Sequence, residues 1–87
     1  NREIVLKECP FFTATLITID TNFRLQVSRY DSFRIIIATR GDGKIKDNQG
    51  NEVEIRQGET ILIPAKTRWV DITPNSDDLE IITAYIQ

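Results

Sequence analysis

The chain has 87 residues, of which 28% are charged, with 11 basic against 13 acidic side chains and a net charge of −2. That leaves room for one small domain, and the weakly acidic balance argues against nucleic acid or an anionic membrane surface as a partner. With no histidine and a single cysteine, Cys9, the composition excludes a Ser-His-Asp triad, a histidine general base, histidine metal sites, a cysteine zinc cluster and an intrachain disulfide.

Isoleucine, valine and threonine supply 14, 4 and 9 residues, whereas alanine and leucine supply 4 and 5 and methionine none. Abundant β-branched residues and scarce helix formers predict an all-β chain. Period-two runs and turn signals alternate throughout. Glu3 to Lys7 reads as a first short strand. Phe11 to Ile19 alternates strictly and is followed by the turn Asp20-Thr21-Asn22. Phe23, Leu25 and Val27 then mark one face of a third strand, with Arg24, Gln26 and Ser28 on the other.

Ser32 to Thr39 contains the run Ile35-Ile36-Ile37, apolar on both faces, as in a strand covered on both sides. Gly41-Asp42-Gly43 is a tight turn. Lys44 to Lys46 and Glu52 to Arg56 form the arms of a hairpin joined by residues 47–51. Gln57-Gly58-Glu59 turns again. Thr60 to Ile63 is a short apolar strand stopped by Pro64, which cannot donate to a ladder. Arg68 to Ile72 follows, then a polar loop on Pro74-Asn75-Ser76, then a last apolar strand, Leu79 to Ile86. About nine short strands without a helix predict a sandwich or barrel that hides its edges. The doubly apolar runs, Ile61-Leu62-Ile63 and Ile81-Ile82 included, ask for cover. Either the N-terminal strands of this chain supply it or another domain packs there.

No run reaches the roughly 18 apolar residues of a membrane span, and no secretory leader is visible. A cytoplasmic location is therefore expected. Because the chain opens at Asn1 without methionine, it is expected to be a piece of a longer protein.

Two segments together carry more information than either alone: Gly41-Asp42-Gly43 closing a strand, and Gly58 followed after five residues by Pro64. This spacing resembles the two motifs of the cupin superfamily, small double-stranded β-helix jelly rolls. In those motifs two histidines, a glutamate and a third histidine hold a divalent metal inside the barrel. Carried onto this chain, the glutamate position is Arg34 and the last histidine position is Trp69. The paired histidine positions are Ser28 and Tyr30, or Val27 and Arg29 with the longer spacing. None is a good metal ligand, and an arginine, always protonated, repels a cation. The resemblance thus implies a cupin jelly roll over residues 1–87 with vacated metal positions and no metal or cofactor of its own.

Further stretches resemble the C-terminal domain of class I mannose-6-phosphate isomerases of the short bacterial type. They are Glu8-Cys9-Pro10-Phe11-Phe12-Thr13, Asp31-Ser32-Phe33 leading to Gly41-Asp42-Gly43, Gly58 to Ala65, and the closing Ala84-Tyr85-Ile86. The resemblance implies that zinc and every catalytic residue of the mannose 6-phosphate to fructose 6-phosphate reaction sit in a missing N-terminal cupin. This chain would then be the non-catalytic C-terminal cupin of a two-cupin protein, with that catalytic domain as its partner.

The residues leave alternatives open. Arg34, with Arg24, Arg29, Arg40 and Arg68, could line a pocket for a sugar phosphate, because guanidinium forks match phosphate oxygens, or these arginines could be solvated strand faces. Trp69 and Tyr30 could stack on a sugar ring or fill the abandoned metal site. A stand-alone cupin binding a small anion through Arg34, Arg24 and Tyr30 is the alternative function. Self-association through apolar sheet faces is a further possibility for the chain's partners.

Overall fold

The computed structural model describes residues 1–8, 12–26, 34–75 and 78–86. Nine strands and no helix occur among them: β1 (Arg2–Glu8), β2 (Phe12–Ile19), β3 (Phe23–Gln26), β4 (Arg34–Arg40), β5 (Gly43–Asp47), β6 (Glu52–Ile55), β7 (Thr60–Ile63), β8 (Trp69–Pro74) and β9 (Leu79–Ile86). They form a five-stranded sheet, β1-β2-β9-β4-β7, and a four-stranded sheet, β3-β8-β5-β6. The neighbouring strands of known register pair antiparallel.

The core lies between the two sheets. Period-two alternation turns Ile36 and Ala38 of β4, Ile17 and Ile19 of β2, and Leu79 and Ile81 of β9 inward, all fully buried. They meet Leu25, Ile45, Ile55, Val70 and Ile72 from the other sheet. Each fully buried isoleucine stabilises by about 1.5–3 kcal/mol, the main driving force here.

The glycine turns cross between sheets. β4 ends in the first sheet at Arg40, and β5 begins in the second at Gly43, across Gly41-Asp42. Gly41 has φ +77, and a Cβ on Gly43 would meet the Thr73 carbonyl oxygen at 2.8 Å. Both positions therefore need glycine, one for its backbone angle and one for close approach. The β5–β6 hairpin forms as the sequence predicts, and Asp47 organises its loop. Asp47 accepts the backbone N–H groups of Gln49 and Asn51, each at 2.9 Å, and the Asn51 side-chain amide at 3.0 Å. The Asn51 amide is the main reason that the Asp47 carboxyl lies below its ordinary range.

One expectation about cover is corrected. The N-terminal strands do not lie over the outer face of β4. β1 and β2 extend the same sheet edgewise, with β1 tied at its start by Asn1, which accepts the N–H of Asp20 at 2.9 Å. The outer face therefore carries an aliphatic row, Ile4–Leu16–Ile82–Ile37, and a second row, Ala14–Ala84–Ile35–Leu62. Ile4 is 45% exposed and Leu62 60%.

Candidate functional site

The inner face of the five-stranded sheet changes character along its strands. Beyond Ile36 and Ile81, the next inward positions are Arg34 on β4, Thr83 and Tyr85 on β9, and Thr13 and Thr15 on β2. Arg34 pairs in register with Tyr85 on one side and Ile63 on the other. It is 7% exposed, and Thr13 and Thr83 are also buried. Arg34 Nη1 donates to Thr83 Oγ1 at 3.4 Å, and the guanidinium carbon lies 4.7 Å from the Tyr85 ring centroid. Hydrogen bonding and the π-face offset part of the cost of burying a permanent charge.

Arg34 therefore points into the sandwich. A guanidinium among hydroxyls can bind carboxylate or phosphate oxygens. It can neither coordinate a cation nor accept a proton. Ser28 and Tyr30, together with Val27 and Arg29, lie outside the described residues.

Trp69 and Arg24 do not join Arg34. Val70 and Ile72 of β8 are buried inward, so Trp69 and Asp71 occupy the opposite, outer face with Arg24 and Gln26 of β3. There the Arg24 fork binds Asp71 twice, Nε to Oδ1 at 2.7 Å and Nη2 to Oδ2 at 3.0 Å. The same guanidinium lies 3.8 Å from the Trp69 ring centroid. Arg24 hydrogen bonding holds the Asp71 carboxyl below its ordinary range and raises Arg24 in turn. A pocket combining Arg34 with Arg24, and Trp69 as a filler of the barrel interior, are both corrected by this placement. The cause is the parity of β8. Pro64 and Thr67 close a turn before the strand, Thr67 N–H donating to the Pro64 carbonyl at 3.1 Å, and the strand emerges with Val70 inward.

The remaining arginines are dispersed. Arg40 pairs with Glu80 at 3.4 Å on the surface, and Arg68 is exposed, its backbone N–H donating to Asn48 at 2.9 Å. The residues in contact with Arg34, Thr83 and Tyr85, are not singled out by spacing. Their signal was the alternation of the closing strand, which becomes readable once β9 is known to lie between β2 and β4.

A separate small cleft of about 140 Å³ lies between β7 and the β5–β6 hairpin. Ile61, Leu62, Val53 and Pro64 make it apolar, and its charged lining group, Asp47, is engaged by its own loop. It is unsuited to a sugar phosphate.

Of the four positions equated with cupin metal ligands, Ser28 and Tyr30 lie outside the described residues, and the two described offer a cation no ligand. Arg34 repels a cation and Trp69 faces away. No group of three or more acidic, cysteine or histidine side chains able to hold a metal occurs among the described residues.

No protein-family profile and no curated protein sequence matches the chain. Solved structures do resemble it. An RmlC-like cupin protein from Desulfovibrio desulfuricans superposes with TM-score 0.81 at 14% identity, covering 98% of this chain and 80% of that one. A cupin-2 domain containing protein from Shewanella frigidimarina gives 0.77 at 14% identity, covering 99% and 80%. A candidate mannosephosphate isomerase from Archaeoglobus fulgidus gives 0.80 at 16% identity, covering 93% of this chain but only 25% of that protein. At these identities the likeness establishes the fold: the chain is a cupin-type jelly roll.

Proposed function

We propose that this chain is a non-catalytic, metal-free cupin domain that supports the zinc-binding catalytic cupin of a mannose-6-phosphate isomerase-like protein. The observation that carries the reading is Arg34. The position equated with the metal-binding glutamate holds a buried guanidinium bonded to Thr83. The uncovered aliphatic rows on the outer face of the five-stranded sheet give such a neighbouring domain a surface to pack on. The Archaeoglobus protein, of which the chain spans about a quarter, is consistent with a domain of a larger isomerase. The test is to supply zinc and mannose 6-phosphate to this chain alone, and then together with a zinc-binding cupin encoded upstream of Asn1. Turnover is expected only in the second case, and turnover by the chain alone would refute the reading.

A second reading has its own support. The Arg34 guanidinium with the Thr83 hydroxyl beside it, and Thr13 further across the same inner face, suit a small anion, which the domain would then bind by itself. Calorimetry with sugar phosphates separates the two. Affinity tighter than about 100 μM, roughly −5.5 kcal/mol, that is lost in Arg34→Ala favours the anion binder.

A further inference from the structure

Among the described residues the sheets end on four edge strands, β1 and β7 in one and β3 and β6 in the other. Exposed edges template pairing with other chains unless charge, bulges or proline blunt them. β1 carries Arg2 and Glu3 and a register shift between Val5 and Lys7. β3 carries Arg24, and β6 carries Glu52 and Glu54. β7 reads Thr60-Ile61-Leu62-Ile63, with no charge, and pairs with β4 in unbroken register. No strand pairs with its other side among the described residues. The ladder begins with the Ala38 N–H donating to the Glu59 carbonyl at 3.1 Å. Antiparallel alternation then turns the backbone groups of Ile61 and Ile63 toward β4 and those of Thr60 and Leu62 outward.

Charge indicates what pairs there. Glu59 precedes β7 and Lys66 follows it beyond Pro64. Lys66 is exposed and forms no ion pair among the described residues. An antiparallel second copy brings the Glu59 end of each strand to the Lys66 end of the other, whereas a parallel one would set like charges together. We infer that β7 is a self-pairing edge, at which two copies of this chain join antiparallel across a two-fold axis near Leu62. Leu62 then faces its own copy, and the outer row Ala84–Ile35–Leu62 continues unbroken into the second molecule. Such an isologous contact closes on itself. Pro64 ends the ladder, since it has no N–H to give.

The experiment is sedimentation equilibrium of the 87-residue chain from about 10 μM to 1 mM, a range that resolves weak dimers. A concentration-dependent dimer is expected. Leu62→Pro removes an N–H that faces away from β4 and should raise the dissociation constant at least about tenfold, with circular dichroism reporting retained strands. Independently of that variant's folding, Lys66→Glu should weaken the dimer a few-fold, about the scale of an exposed ion pair, and Glu59→Lys, which also gives up the acceptor of the Arg56 N–H, should weaken it at least as much. The double reversal should restore it. A chain that remains monomeric to 1 mM overturns the inference. So does a dimer that ignores the charge reversals, or one dissolved by Ile4→Lys on the opposite edge strand while Lys66→Glu leaves it intact.

Discussion

The two ends of one sheet face make an instructive pair. Toward Gly41, the inward side chains are Ile17, Ile19, Ala38, Leu79 and Ile81, each without exposed surface. Further along the same strands, two residues on in β2 and β9 and past Ile36 in β4, the inward positions become Thr15, Thr83 and Arg34. The strands and their inward parity are shared, and although the β4–β9 register shifts between Ala38 and Arg40, the main difference between the two ends is side-chain chemistry. The hydrocarbon end is where burial supplies stability. The other end gives up hydrophobic contact to hold a charge and its hydroxyls inside, so any ligand-binding capacity of the interior belongs there.

The contrast can be broken most strongly from the aliphatic side. Ile81→Ala removes buried volume from packed surroundings and should cost about 2–5 kcal/mol in denaturant unfolding. A cost under about 1 kcal/mol would mean that this end is not the packed half. At the polar end, Thr83→Val keeps the shape but removes the acceptor of the Arg34 bond. A loss of about 1–3 kcal/mol is expected for a buried hydrogen bond to a charge, and the serine variant, which keeps the hydroxyl, should recover most of it.

Outside the core, effects shrink. Asp71 has its folded pKa depressed by Arg24. Its contribution is therefore present above the unfolded pKa near 3.9 and lost as pH falls through the lower folded value. Denaturation midpoints of wild type and Asp71→Asn should differ at pH 6 and converge toward pH 2. The smallest effect is local. Asp47→Ala leaves the Gln49 and Asn51 amides without their acceptor, so their hydrogen exchange should quicken while that of Ile45 stays slow.

The strands themselves were legible. Thr60–Ile63 and Leu79–Ile86 match their expected bounds, because Gly58 and Pro64 bracket one and the polar loop before Leu79 opens the other. The others agree within a residue or two at their described ends, and the cupin-type jelly roll is what the resemblance carried by Gly41-Asp42-Gly43 and Gly58 to Pro64 implies. What spacing could not convey was facing and adjacency. Trp69 sits at the expected distance from Pro64, yet the turn held by Thr67 sets the parity of β8 and turns the indole outward to Arg24. Likewise, Ile35 and Ile37 announce an apolar outer face, but nothing local says that β1 and β2 lie beside β4's sheet neighbour rather than over it. Thr83 joins Arg34 only through a pairing 49 residues apart in sequence.

Arg34 stands at the position equated with a metal ligand. The most direct measurement is a zinc titration of the chain followed by NMR at the Arg34 Nε–H and the Thr83 methyl group. Neither resonance should move in a saturable way, and no zinc should be retained after dialysis. Stoichiometric zinc with saturable shifts at both groups would contradict a metal-free domain.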